Sequence, residues 1–336
     1  MPFDFDAAVS APFRMQPGLR RVAAGSAQLT LLAPGARHQR EKLAVLSAYA
    51  HQALLQRDGF DATPALHALA RHAAREHPQA FAWDGQRAEA LWLGTAVDGE
   101  HALQTAPGHF GQGDEIARCL QGLPPVWRLA GLLCLSFAED FAIIDARDGA
   151  VPWLAVLLPS HWAPEEKVGR HFTAVHAPVA DNSLLLKAAD ALMRLVTTPD
   201  PSDPREPPVR WERFVWTITD HPRLHAHPLR LAHPRWQGTP IERAWWRTER
   251  QSFIPVPALV PDQAQAIFTI EVDLVPLAEV TRNAARATAL HAALASMSDA
   301  VLAYRGLSGV REPLLAWLAQ QAAAPAAGVA SVSTPV

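Results

Sequence analysis

The stretch that most constrains this chain is residues 266–274, AIFTIEVDL. In an extended backbone Phe268, Ile270, Val272 and Leu274 share one side, and Thr269, Glu271 and Asp273 share the other. That period of two belongs to a strand with one apolar face, which needs neighbours and a covering layer. Further strands are expected at 141–145 and 151–158, apolar runs joined by Ala146-Arg147-Asp148-Gly149 as a hairpin, and at 210–219 and 244–253. Helical spacing dominates elsewhere. It marks 37–57 (Leu43, Leu46, Ala50, Leu54), 64–76, 114–123, 126–136, 183–196, 283–302 and 312–323. The fold expected is therefore α+β, an antiparallel sheet of about five strands flanked by N- and C-terminal helices. The expected divisions are an arm and helical region at 1–135, a sheet region at 136–280, C-terminal helices at 281–323 and a disordered tail at 324–336. Residues 197–208, TTPDPSDPREPP, are expected to form a proline-rich surface connection.

Composition narrows the function classes. The 336 residues are 49% hydrophobic and 19% charged with a formal net charge of −3, an ordinary globular balance. No basic stripe is present to neutralise phosphates, so a nucleic-acid partner is not expected. The longest apolar run, 129–138, is too short for a bilayer, and MPFDFDAAVS lacks the marks of a secretory signal, so a cytoplasmic setting without membrane contact is expected. Two cysteines, Cys119 and Cys134, cannot make a disulfide framework or a cysteine metal cluster. Nucleotide-binding glycine motifs, HExxH, CxxC and GxSxG are all absent.

Three constellations remain. Residues 159–179, PSHWAPEEKVGRHFTAVHAPV, carry three histidines between prolines. Pro164, Glu165 and Glu166 suit one short helical turn stopped at Gly169, followed by an extended FTAVH placing Phe172, Ala174 and His176 on one face. His176 is the best metal-ligand candidate, because haem iron accepts a single axial histidine; a satisfied core histidine is the alternative. His161 and His171 are weaker candidates. In WWRTERQ, 245–251, Arg247, Glu249 and Gln251 alternate with Trp246, Thr248 and Arg250. Arg247 or Arg250 suits an anion or propionate, oriented by Glu249, and a structural Arg–Glu network is the alternative. Glu139-Asp140, where helix gives way to strand, suits proton relay or ammonium binding, with capping or ion pairing as the alternative.

The order of these motifs is itself informative. Phe13-Arg14-Met15 with Gly18-Leu19 comes first, then Glu139-Asp140 and Pro159-Ser160-His161-Trp162. Glu166-Lys167-Val168-Gly169, Val175-His176-Ala177-Pro178-Val179 and Trp216 follow. Arg247-Thr248-Glu249-Arg250-Gln251, Pro276-Leu277 and Tyr304-Arg305-Gly306-Leu307 complete the series. Over about residues 11–318 the chain resembles the haem-dependent oxidative N-demethylase α subunits, most specifically in the histidine core and the RxERQ strand. The resemblance implies a PAS-like sheet holding haem b, and O2-dependent removal of an N-methyl group from a small amine such as dimethylamine, with release of formaldehyde. It also implies electrons from NADPH through a partner reductase carrying flavin and an iron–sulfur centre. By motif, His176 maps to the axial ligand, and Lys167, Trp162, Arg247 and Arg250 to the cofactor's surroundings. Glu139 and Asp140 map to the catalytic carboxylates. A haem or small-ligand sensor, or a structural subunit without the cofactor, are the other readings. Two stretches depart from the family pattern. Its late strand commonly runs close to TIRTYL where this chain has Thr269 to Leu274, and its LRRLP is Ser252 to Pro257 here.

Overall fold

The computed structural model describes residues 3–108, 111–198, 209–231, 234–256 and 264–324. In chain order the elements begin with α1 (Phe5–Ala8), β1 (Arg20–Arg21), α2 (Arg37–Ala53), β2 (Leu54–Gln56) and α3 (Thr63–Glu76). Four short strands follow: β3 (Phe81–Trp83), β4 (Arg87–Ala90), β5 (Thr95–Asp98) and β6 (His101–Gln104). Then come α4 (Glu115–Gly122), α5 (Pro125–Ser136), β7 (Glu139–Asp145) and β8 (Ala150–Ala155). A 3-10 turn at Pro164–Glu166 leads to α6 (Phe172–His176), α7 (Ser183–Lys187) and α8 (Ala189–Thr197). The last third holds β9 (Trp211–Thr219), β10 (Trp245–Val256), β11 (Gln265–Pro276), α9 (Leu277–Val280), α10 (Ala284–Ala295), α11 (Asp299–Tyr304) and α12 (Arg311–Ala323).

The protein is α+β with a large antiparallel sheet, but that sheet has seven strands, in the order β1-β9-β10-β11-β7-β8-β2, where about five were expected. The two additions are short edge strands. β2 continues directly out of α2, where helical spacing alone had carried the helix to residue 57. A second sheet, β3-β4-β5-β6, was not foreseen. Its strands are alanine-rich and charged (Arg87-Ala88-Glu89-Ala90), so they lack the β-branched and aromatic residues that mark a strand. Its turn was visible as Asp84-Gly85: Asp84 Oδ1 accepts the amides of Gln86 and Arg87. The β7–β8 hairpin was foreseen. Gly149 there has φ +64°, and a β-carbon would overlap the His171 ring, so glycine is required on both counts.

Both faces of the sheet are covered. The larger core packs α3 and α5 around Phe81, Phe137, Phe141 and Trp153, each at most 1% exposed. Burying such side chains stabilises the fold by roughly 1.5–3 kcal/mol apiece. A second core joins the far end of the sheet to α10 and α12, with Trp216 stacked on Trp246 at 4.7 Å. Phe13 of the N-terminal arm meets Trp216 edge-on at 6.1 Å. The expected helices at 183–196 and 283–302 are each broken in two, and the two halves of the second are capped by Asn283 and Ser298. Residues 199–208 of the expected connection and 325–336 of the expected tail lie outside the described residues.

Candidate functional site

Directly opposed residues of antiparallel neighbours share a face, so the register defines what the sheet presents on each side. One face carries the rows Thr217–Arg247–Leu274, Val215–Glu249–Val272, Arg213–Gln251–Ile270 and Phe253–Phe268–Ala142–Leu154. Most of these line a cavity of about 480 Å³, closed on the other side by residues 160–179, α7 and α8. That volume is in the range of small-molecule sites. The walls are chiefly apolar, with Phe253 and Phe268 stacked at 5.0 Å, and polar groups gather at particular points.

His176 lines the cavity, but not from a strand. Residues 172–176 form α6 rather than the extended run expected. His171 caps its start, its Nδ1 accepting the Thr173 amide at 3.1 Å. Helical spacing, not strand alternation, brings Phe172 and His176 together, ring centroids 4.1 Å apart. The His176 Nδ1–H donates to the Phe172 carbonyl at 2.8 Å, which fixes the tautomer and leaves the Nε2 lone pair for a guest. Burial, opposed by that bond and reinforced by Arg213 and Lys167, brings the imidazole pKa down to about 4. At neutral pH the ring is therefore in its metal-binding, unprotonated form. Among the described residues no group of three or more His, Cys, Asp or Glu side chains is placed to hold a metal ion.

Trp162, Lys167 and Arg247 also line the cavity. Lys167 Nζ donates to the Val175 carbonyl at 3.2 Å, and burial lowers its pKa. Arg247 is 1% exposed. It is held by Ser160 Oγ at 2.8 Å and by the carbonyls of Arg223, Pro159 and Leu224 at 2.8–3.2 Å.

Arg250, Glu139 and Asp140 are not brought to the cavity. Arg250 points to the opposite face, where it pairs with Glu212 at 2.9 Å and donates to the Gln28 and Ala27 carbonyls. Its partner is thus Glu212, not Glu249 as the strand motif suggested. Glu139 lies on that same opposite face and accepts the Thr30 amide at 2.9 Å. It faces Glu271 across the β7–β11 ladder, and burial together with Glu271 raises its pKa to about 8. Asp140 sits under α2, paired with Lys42 at 3.2 Å and accepting the Leu158 amide at 2.6 Å. Glu271 and Asp273, where the chain departs from the family's strand, also leave the cavity untouched. Glu271 neighbours Arg250, and Asp273 is half exposed beside His38.

Glu249, read from the sequence only as orienting an arginine, and Tyr304, noted only within a motif, also line the cavity, as does Arg213, which was not singled out. Glu249 is a cavity carboxylate, its Oε2 accepting from Gln251 Nε2 at 2.6 Å. Arg213 lies one strand away, with burial lowering its pKa and Glu249 opposing. Tyr304 is at the rim, its phenol pKa raised by burial and by Glu249. Period-two alternation of polar residues in β9 and β10 was the available signal, since Arg213, Val215 and Thr217 share the face of Arg247, Glu249 and Gln251. The motif Tyr304-Arg305-Gly306 gains a meaning too. Arg305 lies over the Phe13 ring at 4.7 Å and donates to the Trp216 carbonyl, tying the arm to the sheet beside the cavity.

His176, with its Nδ1 bonded to Phe172, lines a chiefly apolar cavity that is edged by a carboxylate and guanidinium groups. The model of the family described as haem-dependent oxidative N-demethylase, alpha subunit-like, matches residues 37–315, most of the chain. This protein belongs to that family.

Proposed function

We propose that the protein is the haem-binding subunit of an oxidative N-demethylase acting on a small secondary or tertiary amine of the dimethylamine type. The observation that carries the reading is the His176 imidazole, with Nδ1 bound to Phe172 and Nε2 left to the cavity. The residues present fit haem b. His176 would hold the iron, Phe253, Phe268 and Trp162 would flank the ring, and Lys167 and Arg247 would supply positive charge near its edge. The central antiparallel strands with helical cover on the ligand side favour the PAS-like reading of this region.

When bound, the haem supplies O2 activation and the oxidation of an amine methyl group. Overall, amine, O2 and NADPH with one proton give the demethylated amine, formaldehyde, water and NADP⁺. The electrons enter through a partner reductase with flavin and iron–sulfur centres. The chain's own contribution is positional. Glu249, with Oε2 held by Gln251, offers Oε1 to an alkylammonium, and the apolar walls exclude water around the methyl group. Glu249 is also the cavity base for the hydroxyl proton lost when the carbinolamine collapses to formaldehyde and amine. A cytoplasmic setting accords with the absence of any described helix long and apolar enough to cross a membrane.

The test is a haem titration of purified protein, followed by NADPH oxidation with a suitable reductase and dimethylamine. Stoichiometric Soret absorbance and formaldehyde formed in step with NADPH support the reading. Haem uptake without formaldehyde indicates a sensor, and no haem uptake a structural subunit; either overturns it.

A further inference from the structure

One end of the cavity gathers buried guanidinium, imidazole and hydroxyl groups, several of whose polar atoms have no partner. Arg247 is fully buried there, yet all its bonds go to uncharged oxygens, the Ser160 hydroxyl and backbone carbonyls. No carboxylate lies within ion-pair distance of it among the described residues. A buried guanidinium without a counter-ion is costly, and hydrogen bonds to neutral carbonyls offset only part of that cost.

Arg235 is the second cation at this end. Its Nε has no partner, and its one bond is a long 3.5 Å contact from Nη2 to the Ile218 carbonyl. Its guanidinium lies flat against Gly306, where a β-carbon would overlap it and φ is +66°. The late Tyr-Arg-Gly-Leu motif thus holds a glycine where Arg235 must pass. His161 is placed beside it by a backbone with φ +64°, unusual for a non-glycine residue. His161 Nδ1 and Thr217 Oγ1 are also buried without partners, as is Nε2 of His221, whose ring centroid lies 5.1 Å from that of His161. His221 Nδ1 accepts the Arg223 amide, so the unpartnered Nε2 carries the proton.

The nearby carboxylate, Asp220, is already engaged by the Trp236 amide at 2.5 Å, and the Thr219 hydroxyl, 3.3 Å from His161 Nε2, donates to that nitrogen and leaves the ring proton on Nδ1. Glu249, Glu41 and Asp140 act on Arg247 only at longer range, so neither guanidinium has a carboxylate in ion-pair contact among the described residues. Burial, then Arg235 and Arg247, bring His161 down to about 2, so it stays neutral. Burial likewise brings Arg247 down to about 10, still protonated at neutral pH.

We propose that Arg235, Arg247, His161 and Thr217 form a carboxylate subsite at this end of the cavity. A planar guanidinium with an unpartnered Nε beside an unpartnered hydroxyl matches the planar fork of a carboxylate. Two sources share this chemistry: a propionate of the tetrapyrrole, or the carboxylate of an N-methylated amino acid bound as substrate. The assignment of these sources rests on the haem reading above, while the subsite itself rests on the unpaired charge and donors.

The experiment compares wild type with Arg235→Gln and with Arg235→Lys, which keeps the charge but loses the planar fork. In the first arm, apoprotein is titrated with iron protoporphyrin and with its dimethyl ester, followed by Soret absorbance. A propionate source predicts at least tenfold weaker iron protoporphyrin binding in Arg235→Gln with ester binding unchanged. In the second arm, haem-loaded protein is titrated with N,N-dimethylglycine and dimethylamine. A substrate source predicts that Arg235→Gln loses the response to the amino acid while keeping that to the amine. In the third, apoprotein is melted in sodium propionate against sodium chloride. If wild type takes up no tetrapyrrole, the haem reading falls, and the subsite then stands on a propionate-specific rise in melting temperature that Arg235→Gln abolishes. Equal behaviour of wild type and both variants across all three arms overturns the subsite.

Discussion

Replacing Lys42 by methionine tests whether the acidic pair Glu139-Asp140 belongs to the frame rather than to the chemistry. Lys42 is 0% and Asp140 1% exposed. The ammonium donates to the Glu139 carbonyl at 2.6 Å and the Phe137 carbonyl at 3.0 Å, and lies 3.2 Å from the Asp140 carboxylate. It therefore ties α2 to the start of β7, and Asp140 in turn holds the Leu158 amide just before the Pro159-Ser160-His161 stretch. Removing one partner of such a pair typically costs about 3–5 kcal/mol, because the other charge is left buried. Burial already pushes the Asp140 carboxyl up, and Lys42 is the chief influence opposing it. In Lys42→Met that carboxyl rises further and takes a proton. A carboxyl with a raised folded pKa contributes stability that is present at low pH and is lost as pH rises through that value. The penalty should therefore be larger at pH 8 than at pH 5.5. Adding Asp140→Asn removes the stranded charge and should recover about 2 kcal/mol, leaving chiefly the cost of two unsatisfied carbonyls. Urea unfolding followed by tryptophan fluorescence at both pH values measures this. Lys42→Met within about 1 kcal/mol of wild type, or losses that simply add in the double variant, would refute the reasoning. The single Asp140→Asn variant, at a temperature where it is folded, should take up haem as wild type does.

Other consequences are more direct. His176→Ala should lose stoichiometric haem uptake with little change in the urea midpoint; an unchanged Soret spectrum removes the residue from the ligand role. In wild type, haem affinity should be level from pH 8 to 5 and fall about tenfold per pH unit only below about 4, where His176 protonates, so a break near 6.5 in a pH titration would contradict its environment. Both His161 and His176 have lowered folded pKa values, so each contributes stability that is present above about 6.5 and is lost as pH falls toward about 4. Urea unfolding should show about 1.4 kcal/mol per pH unit from each, less whatever buried carboxyls regain on protonation. Glu139 has the opposite sign, its stability full below about 4.5 and lost as pH rises toward about 8. Glu271→Gln removes one of the influences holding that value up and should flatten the decline in melting temperature between pH 6 and 8.

The sequence made the strand alternation legible but not the tertiary use of each face. Phe268 and Ile270 against Thr269 and Glu271 are opposed as the period requires. Yet the polar side is also buried, because residues 28–30 and α3 cover it. Periodicity assigns residues to a face and is silent on what packs there. The same gap explains Arg250: alternation put it opposite Arg247, and only the fold shows Glu212 waiting on a neighbouring strand. The β3–β6 sheet escaped for a different reason, since its alanine-rich strands gain their stability from packing on α3, α4 and α5 rather than from local preference.

His176 reaches the cavity through a geometry other than the extended one its sequence suggests. An extended FTAVH would have set Phe172 and His176 on one face at a spacing of four, and so does a helix. The two conformations differ in what the imidazole can bond to. In a strand its Nδ1 would need a partner from another element. In α6 the Phe172 carbonyl, one turn before the ring on the same helix face, lies within 2.8 Å and takes that proton. The short helix therefore sets the tautomer and orientation of the imidazole from five consecutive residues, with Pro178 directly beyond it limiting its extension. The sheet beneath need contribute only a wall. That division leaves the polar residues of β9 and β10 as one wall of the cavity and the histidine on a separate segment, so a change on the strands need not disturb the ring.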